Sequence, residues 1–479
     1  MHLRMHLIAA PFQLLATAAL VASLAACAVG PRYERPSAPV PAAFKEGAGW
    51  VTATPADAID RGLWWTLFDD PVLNDLALQV EVSNQNVAAA AAAYAQARAL
   101  VREQRAQLFP VLNLNGGATR SGGGSGDTTT GGTSRSGNNF QLGLGASWEP
   151  DVWGRLGRAS TGAQANAQAS AADLASAKLS AQGELVINYL SLRQTDAQAA
   201  LLATTIAGYQ RVQQITQNRY NAGIAAKTDL LQAQTQLANA QSDALGLQRQ
   251  RAQLEHAIAV LIGKAAAEFS QPTAPWRALV PEVPVGLPST LLQRRPDIAA
   301  AERRMAAANE QIGIAQSAFY PSLNLSASYG LGASRLGDLF SASASAWSLG
   351  LSVAQTLFDA GGTAARVDGA QASYDQTVAR YRQTVLVAFQ DVEDQLAAIR
   401  VLAQQNALRQ QASVAADQVE QQVLNRYNAG QISFTEVVTA QVTALNARRA
   451  LVQVQADRQT AAVALIQALG GGWVGVPPA

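Results

Sequence analysis

Groups able to do acid–base, nucleophilic or metal chemistry are scarce in this chain. Its 479 residues include three His and one Cys. His2 and His6 fall in the first few residues, and His256 lies within a repetitive helical stretch. One His and one Cys beyond the leader cannot compose a His/Cys metal cluster. No Ser-His-Asp set or paired-carboxylate motif appears, and the Gly-rich run at 122–126 lacks the strand, helix and Lys of a phosphate cradle. Neither an enzyme site nor a cofactor is expected. The polar residues that do form a pattern gather at a phrase that occurs twice. Arg219-Tyr220-Asn221-Ala222-Gly223 recurs letter for letter as Arg426-Tyr427-Asn428-Ala429-Gly430, 207 positions later. Asp229 follows the first copy; Ser433, Glu436 and Thr439 follow the second. Ser433-x-x-Glu436 has capping-box spacing, and Asp229 falls in a first helical turn, where an acid complements the helix dipole. Helix capping is therefore one reading of both acids.

The elements that must carry these residues are long helices. Asn-Ala-Gly is helix-stop chemistry, because Gly adopts the left-handed conformation after a helix without penalty. Each phrase thus reads as the tip of a helical hairpin. Residues 157–221 contain no Pro and little Gly, which predicts a helix on the order of 100 Å long at ~1.5 Å per residue. The returning helix, about Thr228 to Ile262, places Leu230, Leu237, Leu247, Leu254 and Leu261 on or near a seven-residue ladder, the coiled-coil period. In the second half, the helices run from about Gly362 to Asn428 and from the tip to about Leu469. Ahead of each hairpin lie a shorter helix and two alternating stretches. The helices are Asn84 to about Gln107, stopped before Pro110, and Arg294-Arg295-Pro296-Asp297 to about Ala318. The first strands begin at Val111-Leu112-Asn113-Leu114 and Phe140-Gln141-Leu142-Gly143, the second pair at Ser322-Leu323-Asn324-Leu325 and Trp347-Ser348-Leu349-Gly350. Period two is the strand signal. Each half therefore reads helix, strand, loop, strand, long helix, tip, helix. The offset is 211 at the Pro before the strands and 207 at the tips, so the difference sits in the strand-loop-strand part, where insertions are tolerated.

Charged residues make up 14 % of the chain, against about 25 % in typical soluble domains. The net charge of +1 points to no nucleic-acid partner. Such a surface suits small-residue helix packing or an assembly. Arg4 followed by the apolar Leu7–Ala26 reads as a secretory signal peptide. Leu24-Ala25-Ala26-Cys27 resembles a bacterial lipobox, with cleavage before Cys27 and lipidation of its thiol; the alternative is an ordinary signal peptide with a chance Cys. Ala28 follows, not Asp, which by resemblance to lipoprotein sorting signals points to the outer membrane. The expected organisation is a signal peptide at 1–26, a lipidated tether at 27–60, a first repeat at 61–263, a linker at 264–290, a second repeat at 291–470 and a tail at 471–479. Strands are expected at about 111–119, 139–149, 322–332 and 346–357, and tips at 219–229 and 426–436. Four strands cannot close a barrel, and an open edge invites aggregation. Their length and dyad pattern are those of outer-membrane barrel strands. The alternative is a pair of soluble hairpins on a core. Three chains with four strands each would close twelve, although nothing in the sequence sets the count at three.

Several segments together carry a resemblance. They are Cys27-Ala28-Val29-Gly30-Pro31-Arg32-Tyr33 with Pro36, Trp64-Trp65 with Phe68-Asp69-Asp70-Pro71, and Trp148-Glu149-Pro150-Asp151-Val152-Trp153-Gly154-Arg155. They continue in Leu287-Pro288-Ser289, in Leu291-Leu292-Gln293-Arg294-Arg295-Pro296-Asp297-Ile298, and in the two Arg-Tyr-Asn-Ala-Gly tips. In this set and order the chain resembles the TolC/OprM-type outer-membrane efflux proteins, in the lipoprotein branch serving resistance-nodulation-division pumps. The resemblance implies a mainly α, internally duplicated fold with a transmembrane β-barrel. It implies a homotrimer with twelve strands, a long α-helical barrel, and a belt drawn from residues 28–70, 264–295 and the C-terminus, which makes the 264–290 linker equatorial. It implies a passive duct for small molecules, lipid-anchored in the outer membrane and extending into the periplasm. A periplasmic adaptor (membrane fusion) protein and an inner-membrane resistance-nodulation-division pump would dock at Arg219, Tyr220, Gly223, Arg426, Tyr427 and Gly430. By motif position Asp229 and Tyr427 match a linking pair of the closed periplasmic gate, and Glu436 matches an acidic ring whose converging carboxylates would favour cations. The pattern is broken at Ile432, where some members carry Arg, and at Thr439, where they carry a second acid; apolar contact through Val437 or Val438 is an alternative closure. A type I secretion duct for polypeptides and a pore-less coiled-coil lipoprotein are the competing readings. Arg294 and Arg295 are expected to pair with carboxylates.

Overall fold

The computed structural model describes residues 29–38, 40–41, 43–46, 61–122, 137–281, 283 and 294–471. The signal peptide, Cys27, the loop tip at 123–136, the segment from Leu287 to Gln293 and the last eight residues lie outside the described residues. The described chain divides into two compact units. One draws on Met1–Pro36, Tyr94–Ala169 and Ala301–Tyr381, the other on Ser37–Ala93, Ser170–Ala300 and Arg382–Ala479. Helices α1 (Pro71–Ser83) and α2 (Gln85–Ala106) precede strands β1 (Val111–Ser121) and β2 (Gly137–Trp148). Then come α3 (Arg155–Asn221) and α4 (Lys227–Leu261). The second half repeats the order with α5 (Pro296–Ser317), β3 (Ser322–Ala333), β4 (Ser345–Ala354), α6 (Gly362–Asn428) and α7 (Phe434–Ala468). The two longest helices have 67 residues each and the two returning helices 35 each, so the duplication holds to the residue. No described helix is long and apolar enough to cross a membrane.

The first unit holds one antiparallel sheet in the order β1-β2-β3-β4. Its register sorts the two faces. Leu114 pairs with Leu144, Leu144 with Tyr329, and Tyr329 with Trp347, so one apolar row crosses all four strands. One residue along, Asn113, Gly145, Ser328 and Ser348 form a polar row on the opposite face. Residues directly opposite on paired strands share a face, and successive residues alternate. Among the described residues the apolar face meets no core: Leu112, Leu114, Trp347 and Leu349 are each two-thirds or more exposed. β4 stops at Ala354, short of 357, because its partner ends there. Ala354 pairs with Ser322, the first residue of β3, and Pro321 before it has no N–H to donate.

At the foot of the sheet Trp153 stacks on Tyr320, with ring centroids 4.8 Å apart, and its indole N–H donates to the Pro321 carbonyl at 2.7 Å. Asp151 caps α3 through the amides of Leu156 and Gly157, and Asp359 caps α6 through the Thr363 amide and hydroxyl. Those bonds from Thr363 hold the Asp359 carboxyl below its usual range. The N-terminal motif is a strap laid against α3 and α5. The Val29 amide donates to the Trp153 carbonyl, and the Pro31 carbonyl accepts from Arg158 and Asn309. The Tyr33 hydroxyl donates to Glu302. Gly30 crosses Gly313 so closely that a Cβ on it would lie 2.5 Å from the Gly313 Cα.

In the second unit Asp70 is the N-cap of α1, accepting from the Val72 and Leu73 amides, and it also accepts the Tyr189 hydroxyl at 2.6 Å. Burial, then this bond to Asp70, pushes the Tyr189 hydroxyl up to about 12. Arg193, Asp196, Arg251 and Glu255 form an ion network that fastens residues 271 and 272 to α3 and α4. The returning helices end in the same way in both halves. Gly263 and Gly470 take positive φ, and a Cβ on them would press on the carbonyls of Ser83 and Arg294, at 2.2 and 2.3 Å. Asn84 donates to the Leu261 carbonyl, and its counterpart Arg295 donates to the Ala468 carbonyl. Arg295 also forks onto Asp297 at 2.8 Å and Asp391 at 3.0 Å, the carboxylate pairing expected of this segment.

Candidate functional site

Both repeated phrases close their helices by the same hydrogen bonds. In the first, the Gly223 amide donates to Tyr220 and the Ile224 amide to Arg219. In the second, the Gly430 amide donates to Tyr427 and the Gln431 amide to Arg426. Gly223 and Gly430 have φ of 73° and 72°, the left-handed conformation that this double bond requires.

The side chains then diverge. Tyr427 is 6 % exposed and packs its ring against Phe434 at 5.5 Å, in a cluster with Ala233 and Val437. Arg219, from the first tip, lies over that ring with Cζ 4.6 Å from its centroid. Its guanidinium donates to the carbonyls of Tyr427 and Asn428 at 3.3 and 3.2 Å. A cation over an aromatic face is attracted by the ring quadrupole, and a cation at a helix C-terminus meets the negative end of the dipole. The first hairpin thus caps the second. Higher up the helices Thr435 approaches Gln232, Gln236 donates to Gln441 at 3.3 Å, and Arg449 pairs with Asp243 at 2.9 Å. These partners lie 203 to 209 residues apart, close to the repeat offset, so equivalent levels of the two hairpins face each other. The offset was the signal that could have found them.

Three expectations change. Among the described residues the buried Tyr427 hydroxyl has no hydrogen-bond partner, so Asp229 does not link to it within the chain. The ring is turned into the Phe434 cluster beneath Arg219, and the hydroxyl goes with it. The capping box is not formed: Ser433 is the N-cap of α7 without a side-chain hydrogen bond, which leaves Glu436 and Asp229 as first-turn acids at uncapped helix starts. Val437 is fully buried in the cluster and cannot serve as a free closing surface. Thr439 returns its hydroxyl to the Thr435 carbonyl at 3.0 Å. Glu436 stands exposed on the wall of a groove of about 430 Å³ between α6 and α7, lined also by Val419, Val423, Thr439, Ala440 and Thr443.

Residues 76–264 and 287–471 match the family model for outer membrane efflux proteins. The chain belongs to the outer membrane efflux protein family. The two matched blocks correspond to the two halves of the duplication. Among curated relatives, the probable efflux pump outer membrane protein TtgC of Pseudomonas putida is 31 % identical over 96 % of each chain. The cation efflux system protein CusC of Escherichia coli is 30 % identical over 94 % of this chain and 97 % of its own. Of solved structures, the outer-membrane channel OprN superposes with a TM-score of 0.85 at 31 % identity, covering 93 % of this chain and all of that one. The open state of the MtrE outer membrane channel of Neisseria gonorrhoeae gives 0.82 at 27 %, covering 93 % and 98 %. This outer membrane efflux protein therefore has the mainly α, internally duplicated, four-strand fold of outer-membrane channels, and its place is the outer membrane.

Proposed function

We propose that this outer membrane efflux protein is the passive exit duct of a tripartite efflux assembly, built as a homotrimer. The sheet carries the reading. Among the described residues β1 and β4 each pair on one side only, and the apolar face is exposed. Lipid offers a backbone no hydrogen bonds, so strands span it only as a closed barrel. Three copies in a ring join β4 of one to β1 of the next and close twelve strands. The face bearing Leu114, Tyr329 and Trp347 meets lipid; the face bearing Asn113, Ser328 and Ser348 lines a wet bore. Acylated Cys27 anchors each copy in outer-membrane lipid. The strap supports this, because the bond from Val29 to Trp153 holds the chain at the foot of the sheet two residues beyond Cys27.

The helical hairpins extend into the periplasm and present their tips to an adaptor (membrane fusion) protein and an inner-membrane resistance-nodulation-division pump. Gly223 and Gly430 set the turns that display Tyr220 and Arg426, while Arg219 and the buried Tyr427 hold the two tips together. Asp229, Tyr427, Glu436 and Thr439 form the periplasmic gate, with Tyr427 acting through its ring. The cargo is small molecules. Relatives named for antibiotics, toluene and cations support a duct that selects weakly.

Protein extracted from outer membranes in detergent is expected to be a trimer by native mass spectrometry and to give discrete conductance steps in planar bilayers. Glu436→Ala should lower the preference for cations over anions. A monomer without conductance refutes the duct. Capture in cells by the adaptor of an ATP-driven polypeptide exporter moves the cargo to proteins.

A further inference from the structure

The foot of the sheet contains a cavity of about 240 Å³ that the conduit itself does not need. Glu149, Trp153, Arg155, Tyr320 and Leu323 are among the residues that line it. Leu323 lies six residues before Tyr329 in β3, so the two share the apolar face of the sheet. The cavity therefore borders the face that meets lipid in the duct. Exposed aromatic side chains sit at this same end of all four strands. Phe109 comes just before β1, Trp148 ends β2, Tyr320 comes just before β3 and Phe358 follows β4. Such side chains form girdles where a membrane barrel passes through the headgroup layer. The cavity is thus placed at headgroup depth.

The polar groups on its wall are unequally committed. Asp151 is taken by the Leu156 and Gly157 amides, and the Trp153 indole by the Pro321 carbonyl. The Ser317 and Ser322 hydroxyls donate to the Ile314 and Ala354 carbonyls. The charged groups left with capacity are Glu149 and Arg155. Arg155 donates through Nε and one terminal nitrogen to the two Glu149 oxygens, at 3.2 and 2.7 Å. Glu149 is the guanidinium's only hydrogen-bond partner among the described residues. The guanidinium has more N–H groups than these bonds use, and a carboxylate oxygen accepts more than one bond. The side chains of Arg155 and Glu149 are 42 % and 37 % exposed, and an ion pair so open to water adds little to the fold. It sets a cation and an anion side by side at the cavity wall.

A ligand that carries both charges matches this wall. The planar fork of Arg155 suits phosphate oxygens, and a primary ammonium suits the remaining acceptor positions of Glu149. At about 30 Å³ for each water-sized group, the cavity has room for about eight, the size of a phosphoethanolamine and far short of a fatty acyl chain. We propose that the cavity binds the headgroup of a zwitterionic aminophospholipid. Its phosphate lies on Arg155, its ammonium on Glu149, and its acyl chains run along the apolar face past Leu323. The site deepens the duct reading and rests on it, because it requires that face to meet lipid.

The test uses the full chain purified in detergent and given short-chain phosphatidylethanolamine, phosphatidylcholine or phosphatidylglycerol, with retained lipid counted by native mass spectrometry. Phosphatidylethanolamine is expected to be retained several-fold more than phosphatidylcholine, whose quaternary nitrogen has no N–H for Glu149, and more than phosphatidylglycerol, which has no cation. Glu149→Gln leaves Arg155 an unopposed cation and should turn the preference toward phosphatidylglycerol. Arg155→Gln should lower retention of all three; if that variant does not assemble, Glu149→Gln decides alone. Equal retention of the three lipids by the wild type, or a preference that Glu149→Gln leaves unchanged, overturns the site. Displacement of the lipid by millimolar inorganic phosphate shows a site for free anions and overturns it as well. A conducting trimer without the preference fails this site alone, whereas a monomer without conductance fails the duct and the site together.

Discussion

Replacing Arg219 by Ala should loosen the end of α6, an element of the other half of the chain. The guanidinium makes two charged hydrogen bonds at the end of the helix, to the Asn428 carbonyl and to the Tyr427 carbonyl that also accepts from the Gly430 amide, and it covers the Tyr427 ring at 4.6 Å. A charged hydrogen bond contributes about 1.5–3 kcal/mol when buried, and a cation over a ring about 0.5–2 kcal/mol. Both bonds are longer than 3.1 Å and the group is half exposed, so the low end applies and the sum is discounted to about 2 kcal/mol. That free energy corresponds to about a thirtyfold change in a local opening equilibrium. The readout is amide hydrogen exchange, by mass spectrometry, in the peptide containing Ala429, Gly430 and Gln431, whose N–H groups bond Asn425, Tyr427 and Arg426. Exchange there should rise about thirtyfold in Arg219→Ala. Arg219→Lys, which keeps the charge but not the planar fork, should fall between the two. Tyr427→Phe is the opposite control. It deletes a buried hydroxyl that bonds nothing, so exchange should stay within about twofold of wild type, since removing an unsatisfied polar group is near neutral. Unchanged exchange in Arg219→Ala together with faster exchange in Tyr427→Phe would refute this account and restore a hydroxyl link such as that to Asp229.

Two further predictions concern backbone and pH. Gly263→Ala places a Cβ 2.2 Å from the Ser83 carbonyl at positive φ, whereas Gly223→Ala has the same sign of φ and nothing within 4 Å. The second should cost only the left-handed penalty of about 1–2 kcal/mol, and the first clearly more, as read by thermal unfolding in detergent. Tyr189 is neutral in the fold up to about 12, against 10.0 in the unfolded chain. Its contribution is therefore fully present below pH 10 and is lost as pH rises toward 12. Thermal stability should fall across that window, and Tyr189→Phe should flatten the fall.

Much of the fold was legible because two periods are written plainly into the chain. Alternation set the sheet faces: Leu112, Leu114, Leu142 and Leu144 share one side with Tyr329 and Trp347 in the register observed. The absence of Pro and the Asn-Ala-Gly stops marked the long helices and their ends. The tip side chains were less legible, because capping signals are local while the contacts there join residues about 207 apart. Ser433-x-x-Glu436 has the letters of a capping box, yet the Ser433 side chain makes no cap hydrogen bond. Tyr427 was matched to Asp229 by motif position, but the Phe434 and Val437 side chains decide where its ring goes. The Arg295 cluster could be expected only in outline. Its partners Asp391 and Ala468 lie far away in sequence, and its role becomes clear only when Asn84, at the matching place, is seen to do the same work.

That substitution of one residue type for another at matching places bears on what duplication has left free to change. Asn84 and Arg295 both hold the carbonyl end of a returning helix, and Gly263 and Gly470 both clear space for the chain that crosses there. These positions are constrained within each half, so the geometry is kept while the residue varies. At the tips the reverse holds. The five residues are identical, and their surroundings differ, because one tip finds its neighbour inside the chain and the other does not. Asp243 and Arg449 pair across the two hairpins, whereas the residues at the matching places, Ala450 and Ser242, carry no charge.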